Sequence, residues 1–268
     1  METLYPTSVA EAVGALEEGV TPLAGGTDLM VAVNFGQSRP ERVLALRRVE
    51  ELTAWDGGRI GAGVTWRRIE RAGTPVALAQ AARTVGSPQI RNAGTLGGNV
   101  ATASPAGDGL PFLAAVDADI EVRSSAGTRT VPWHEFFTGV KKTALRADEL
   151  VTAVLLPDEL PERQEFAKVG VRNAMVISIV SCVVTRTESG VTTVALGSVG
   201  PTCVRVPRAE QMISAEADPS PRALDEFARI VAEDISPISD HRSTGEYRRH
   251  AAGVVARRLL ERCLRGRS

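Results

Sequence analysis

The sequence predicts an α+β protein of two unequal domains, and three observations carry that expectation. Residues 1–157 alternate strand-like and helix-like segments punctuated by glycine; a polar, proline-flanked connector, Pro157-Asp158-Glu159-Leu160-Pro161-Glu162, interrupts them; a β-branched hairpin and then two amphipathic helices follow. The boundary therefore falls after Pro157, leaving 158–268 as a smaller strand-then-helix domain.

Each element has a local reason. Ser8 and Glu11 make a capping box and Ala12, Val13 and Leu16 recur at helical spacing, so a helix runs from Thr7 until Gly19 stops it. Val20 to Ala24 is a short apolar strand, Gly25-Gly26-Thr27-Asp28 turns the chain, and Leu29 to Val33 can be helical. Val43 to Leu46 and Arg59 to Val64 read as strands, the second leading into a helix from Thr65. Thr74 as N-cap and Pro75 in the first turn open a helix through Ala77, Leu78, Ala81 and Ala82. Arg91 to Asn99 reads as a glycine-rich loop, Ala118 to Ser125 and Thr128 to Val131 as a hairpin across Ala126-Gly127, and Leu150 to Leu156 as a strand. Beyond the connector, Val176 to Thr187 and Val191 to Val199 form a second hairpin, and Pro221 to Glu233 and Thr244 to Leu264 form the helices.

Composition removes several function classes. With 31 Lys+Arg against 32 Asp+Glu the net charge is −1, which leaves no broad field for nucleic acid or an anionic membrane. No apolar run is long enough to span a bilayer and the N-terminal residues lack a signal-peptide pattern, so a cytoplasmic protein is expected. Cys182, Cys203 and Cys263 are dispersed, as are His134, His241 and His250; buried reduced thiols are expected, and no metal site. Hard redox chemistry would have to come from a borrowed cofactor, and no side chain reads as a general base acting on substrate.

Two glycine pairs stand out. In Gly25-Gly26-Thr27-Asp28, adjacent residues without Cβ allow backbone N–H groups to converge on one concavity that suits phosphate oxygens, with a helix start and the Thr27 hydroxyl beside it. Asp28 should face away, as a helix cap. A tight turn without ligand is the plainer alternative. Gly97-Gly98, flanked by Thr95 and Asn99, repeats the device, and the two together favour a dinucleotide diphosphate. Neither GxGxxG nor GxxxxGK[ST] occurs, which disfavours Rossmann and P-loop sites. Asp108 reads equally as a helix cap or as an acceptor for sugar or ribityl hydroxyls, and Lys168 as a solvated edge lysine or as a donor to an anionic cofactor.

Pro22 to Met30 (PLAGGTDLM) and Ile90 to Asp108 (IRNAGTLGGNVATASPAGD) resemble the two FAD-binding signatures of the molybdenum hydroxylase flavoprotein, the medium subunit or middle domain of xanthine dehydrogenase, carbon monoxide dehydrogenase and relatives. The likeness continues through Thr138 to Thr143, Leu150 to Pro157 and Lys168 to Ala174. It implies a vanillyl-alcohol-oxidase (PCMH)-type FAD-binding domain of two α/β subdomains, about 1–58 and 59–157, and a C-terminal domain of antiparallel sheet and helices. It further implies that Leu23, Ala24, Gly25, Gly26, Thr27, Asp28, Leu29 and Met30 wrap the FAD pyrophosphate, with Thr95, Leu96, Gly97, Gly98 and Asn99 on its other side. Asp108 and Lys168 would contact FAD, and Val85 and Val151 would pack against it. The implied partners are a molybdopterin-containing large subunit and a [2Fe–2S] small subunit, from which electrons pass through FAD to an acceptor such as NAD. Asn173-Ala174-Met175 replaces the acidic stretch of the xanthine dehydrogenases, which argues against NAD in particular. A stand-alone flavin oxidoreductase acting on a small molecule or O2, and a non-catalytic flavin-binding assembly subunit, are the alternatives.

Overall fold

The computed structural model describes residues 2–173 and 175–265, so Ala174 of the Asn173-Ala174-Met175 segment lies outside the described residues. Three short strands, β1 (Glu2–Leu4), β2 (Val20–Leu23) and β3 (Arg42–Ala45), pair in parallel in the order β1-β3-β2. Parallel neighbours require crossovers, here α1 (Val9–Gly14) and α2 (Leu29–Asn34). Ser8 caps α1 by accepting from the Glu11 N–H at 3.1 Å, while the Glu11 carboxylate accepts from the N–H and hydroxyl of Thr7 rather than from Ser8. The helix stops at Gly14, earlier than expected. Leu16 is buried beyond its end, and Gly19, at φ +85°, turns the chain into β2 instead. α2 has no buried residue, although its sequence is apolar.

The second sheet follows. β4 (Trp55–Asp56) and β5 (Arg59–Gly61) precede a set of helices: α3 (Trp66–Ala72), α4 (Val76–Thr84), α5 (Pro88–Ala93), α6 (Leu96–Thr102) and α7 (Leu110–Ala115). Then come β6 (Asp119–Ser124), β7 (Gly127–Pro132), the short α8 (Trp133–Phe136), a hairpin of β8 (Phe137–Gly139) and β9 (Lys142–Thr143), and β10 (Leu150–Leu155). The sheet is antiparallel in the order β4-β5-β10-β6-β7. The strand expected to reach Val64 ends at Gly61: Ala62 still donates to Thr152 O of the neighbouring β10 at 2.9 Å, but Gly63 leaves the ladder and donates to Leu52 O at 2.7 Å. α4 starts one residue later than its sequence suggests, with Pro75, after a cis Thr74–Pro75 bond, in the cap position.

The largest local difference is at Arg91 to Asn99, which is not a loop. Two helices, α5 and α6, meet at Gly94-Thr95. Ser87 caps the first by accepting from the Ile90 N–H at 3.3 Å, and Thr95 caps the second by accepting from the Gly98 N–H at 3.0 Å. Ser87 and Pro88 thus start α5, and in α6 the Thr95 cap together with the packing of Gly97 on Ala62 offsets the roughly 1 kcal/mol that each helical glycine costs.

The third sheet, β11 (Arg163–Val169), β12 (Val180–Arg186), β13 (Thr192–Gly197) and β14 (Val204–Arg205), is antiparallel in that order, with α9 (Pro207–Ser214), α10 (Pro221–Glu233) and α11 (Gly245–Arg265) around it. All of β12 is buried. Val180, Cys182 and Val184 join the core under the helices, and Val183 joins the core of the preceding segments, so the sheet is sandwiched between the two. Alternation along β11 docks it on α4. Gln164 accepts from Ala77 N–H at 3.4 Å, Phe166 N–H donates to Gln80 Oε1 at 2.6 Å, and Lys168 Nζ donates to Thr84 O at 3.0 Å. Strand period two thus meets helix period 3.6, and Lys168 is delivered to the end of α4. The three cysteines are buried and unpaired.

Candidate functional site

The turn between β2 and α2 packs its backbone onto the end of α5. A Cβ at position 25 would stand 1.9 Å from the carbonyl oxygen of Ala93, so only glycine permits this approach. Gly26 adopts φ +70°. Thr27 Oγ1 lies beside Gly94, 3.2 Å from where that residue's Cβ would be. The two glycine motifs are therefore neighbours in space. Among the described residues, none of the backbone N–H groups of Gly25, Gly26, Thr27, Asp28 and Leu29 donates a hydrogen bond. Five consecutive open donors leading into a helix start, one of them on a residue in the left-handed region, are the kind of backbone from which anion-binding nests are built. Asp28 stands at the cap position of α2 but caps nothing; its exposed carboxylate faces Lys141 Nζ at 3.7 Å.

The second motif is built differently. Leu96 N–H donates to Val64 O at 2.9 Å, Gly97 N–H to Ala62 O at 2.8 Å and Gly98 N–H to the Thr95 hydroxyl. A Cβ at position 97 would meet that of Ala62 at 2.4 Å, so Gly97 is explained by packing. At position 98 a Cβ would touch only Thr95 Oγ1, at 3.1 Å. What this segment holds open is the Asn99 side chain, whose Oδ1 is buried without a partner.

Asn99 leads to Asp108. Its amide lies 3.0 Å and 3.1 Å from where Cβ atoms of Gly107 and Gly109 would be, so it sits against the residues that flank Asp108. Asp108 does not cap α7. Its Oδ2 accepts from Lys168 Nζ at 2.6 Å and from Thr84 Oγ1 at 3.4 Å, and its Oδ1 is buried and unpartnered. Burial outweighs the neighbouring ammonium and hydroxyl and raises the Asp108 carboxyl to about 6. Lys168 is no solvated edge lysine: its side chain is 9% exposed, and it also donates to Thr84 O and Val176 O, both at 3.0 Å. Its three protons are thus directed at protein acceptors. Two orphan oxygens, Asn99 Oδ1 and Asp108 Oδ1, each cost about 1–3 kcal/mol unless a hydroxyl or N–H donor meets them. The ribityl and ribose hydroxyls of FAD are donors of that kind, and its diphosphate suits the open amides. The residues present fit the cofactor.

Val85 follows α4 and is half-buried. Its carbonyl and that of Gly86 accept from Arg91 Nη1 at 3.2 Å and 3.1 Å, and Arg91 is itself held by Glu70 at 3.0 Å. Sequence reasoning missed this brace, which fixes α5 and hence the Ala93 carbonyl under Gly25. Val151 is buried in β10, the strand on which α6 packs. Also missed was a cleft of about 610 Å³ lined by Leu23 to Gly26, Met30, Tyr5, Ala45, Arg47 and Arg48. Its walls follow the C-terminal ends of β1, β2 and β3, where open α/β sheets place ligands; that rule is the signal that could have found Tyr5, Arg47 and Arg48.

Comparison with known proteins agrees with this geometry. Residues 1–159 match the family described as FAD binding domain in molybdopterin dehydrogenase, and residues 165–263 the CO dehydrogenase flavoprotein C-terminal domain. The putative xanthine dehydrogenase FAD-binding subunit of Escherichia coli is 31% identical over 254 residues, covering 89% of this chain and 86% of that protein. The nicotinate dehydrogenase FAD-subunit of Eubacterium barkeri is 36% identical over 196 residues, 67% of this chain and 66% of that one. In structure, carbon monoxide dehydrogenase from Hydrogenophaga pseudoflava superposes with a TM-score of 0.89 at 28% identity, covering 98% of this chain and 97% of that chain.

Proposed function

The chain belongs to the FAD-binding subunits of the molybdopterin dehydrogenases, and from that premise we propose that it is the electron-transfer subunit of a heteromeric molybdenum hydroxylase. It works beside a molybdopterin-containing large subunit and a [2Fe–2S] small subunit, receives their electrons and hands them to an acceptor. Residues 1–157 hold the cofactor and 158–268 close over it. The observation that carries this reading is the open amide run from Gly25 to Leu29, together with the orphan oxygens of Asn99 and Asp108.

Bound FAD supplies the redox chemistry that no side chain of the chain carries. The protein's own work is to bind and orient. Gly25 to Leu29 donate to the diphosphate, with the Thr27 hydroxyl beside them. Asn99 and Asp108 accept from the cofactor's hydroxyl or N–H donors. Lys168 fixes the Asp108 carboxylate and ties β11 to α4, so the C-terminal sheet is latched to the cofactor domain at the site itself. Partner chains have a surface to cover: α2 exposes Met30 and Val31, and Phe35 at its end is 75% exposed. Among the described residues no helix is long and apolar enough to cross a membrane.

Copurification from the native source, followed by flavin, iron and molybdenum analysis, tests the proposal. One FAD per chain with iron and molybdenum on separate subunits is expected, and the isolated FAD-loaded chain should not oxidise purines or aldehydes. Robust turnover by the chain alone would favour the stand-alone oxidoreductase. Reduction of the bound flavin by NADH would make NAD the acceptor.

A further inference from the structure

We propose that Arg47 and Arg48 bind the phosphates of the dinucleotide, and that the cleft they close receives its adenosine diphosphate half. The inference rests on the FAD reading and adds residues that neither glycine motif contains.

Three observations point this way. The cleft, about 610 Å³, adjoins the Gly25-Gly26 backbone and lies in the size range of small-molecule sites. Its lining also includes Arg47 and Arg48, whose guanidiniums have no hydrogen-bond or ion-pair partner among the described residues, and Arg48 is held over the Tyr5 ring, 4.9 Å from its centroid. That is unlike the other end of the same strand, where Arg42 of β3 is bonded to both Glu2 and Glu17. Arg47 and Arg48 instead line a cleft whose other lining residues include no acid to pair with them. Finally, Leu23, Met30, Ala45 and Tyr5 make the remaining wall mostly apolar, which suits the face of a purine ring. A ligand with a flat ring at one end and two negative phosphates at the other matches that division. Planar guanidiniums take phosphate oxygens two at a time, and the parallel-strand ends place those oxygens beside the open amides of Gly25 to Leu29.

Because both arginines are exposed, the double variant Arg47→Ala/Arg48→Ala should fold normally. Flavin-fluorescence titration of the apo chain with FAD and with FMN, which lacks the adenosine half, reads the proposal; calorimetric titration with ADP alone gives a second measure. The expected result is weaker binding of FAD and of ADP, by roughly tenfold for each guanidinium removed, with a clearly smaller loss for FMN, which keeps only one of the two phosphates, and partial recovery in Arg47→Lys/Arg48→Lys. Unchanged FAD and ADP affinity in the alanine variant would overturn it, and so would an equal loss for FAD and FMN. Failure of the unmodified chain to bind either flavin would instead bring down the flavoprotein reading on which the inference stands.

Discussion

Gly25-Gly26 and Gly97-Gly98 look alike in the sequence and are unlike in the protein. At the first pair, five successive amides donate to nothing and Gly26 sits at φ +70°. At the second pair, the amides of Leu96, Gly97 and Gly98 are already engaged by Val64, Ala62 and Thr95, and the glycines form the first turn of a capped helix. A glycine can be required for a backbone that opens to a ligand, or for a backbone that approaches its own neighbour. Gly97 against Ala62 is the second kind; Gly25 against the Ala93 carbonyl is also a packing glycine, yet its packing is what brings the open amides to the end of α5. On the proposed reading, the diphosphate belongs to the first motif, and the second supplies the frame with its Asn99 oxygen.

Several variants can break this contrast. The largest effect is expected for Gly26→Asp, which adds a carboxylate and a strained backbone to the nest: FAD affinity measured by fluorescence should fall by about 100-fold or more, several kcal/mol of lost and reversed charge interaction. Gly98→Asp should weaken FAD by no more than about tenfold, a clear step less. Equal losses would erase the distinction between the motifs.

Asp108 gives a pH-dependent signature. Its folded pKa, about 6, stands above the unfolded carboxylate value, so the stability it contributes is fully present below about pH 4 and is lost as the pH rises through about 6. Relative to Asp108→Asn, the apo protein should lose about 3 kcal/mol between those limits, since each tenfold change in the protonation equilibrium is worth about 1.4 kcal/mol. Denaturant unfolding of both proteins across that range checks it; a constant difference would mean that the carboxylate does not titrate there.

Arg91→Ala should follow, releasing the Val85 and Gly86 carbonyls and leaving Glu70 short of a partner, at a cost of about 2 kcal/mol in thermal or chemical unfolding. FAD should bind less tightly because α5 supports Gly25. Unchanged affinity would show that the frame is rigid without the brace. Thr95→Ala should be the mildest, about 1 kcal/mol of stability for a lost cap with FAD affinity changed less than about threefold. A larger loss of affinity than of stability would give the Thr95 hydroxyl a direct role in binding.

Much of this architecture is legible in the sequence. α10 runs over Pro221–Glu233 as its proline start and amphipathic spacing indicate, and β6 and β7 form the expected hairpin, though it turns at Ser125-Ala126 and Gly127 already pairs in β7. Other parts are not legible, and three of them have a clear physical reason. α5 and α6 are hidden because helix propensity penalises the very glycines that packing on Ala62 demands. β11 is hidden because Gln164 and Lys168, polar residues that normally signal a solvated face, are satisfied by α4, by Asp108 and by carbonyls of distant segments. The wall of Tyr5, Arg47 and Arg48 is hidden because only the parallel pairing of β1, β2 and β3 brings their ends together. Lys168 reads in the sequence as a surface lysine or a cofactor donor, and its three protein acceptors make it a latch first.

Amide hydrogen exchange, read residue by residue in the apo and the FAD-loaded chain, tests the central contrast most directly. The amides of Gly25 to Leu29 are expected to exchange freely without cofactor and to become strongly protected when FAD binds, while those of Leu96 to Gly98 are protected in both states. Protection appearing at Leu96 to Gly98 on binding, with Gly25 to Leu29 left as they were, would contradict it.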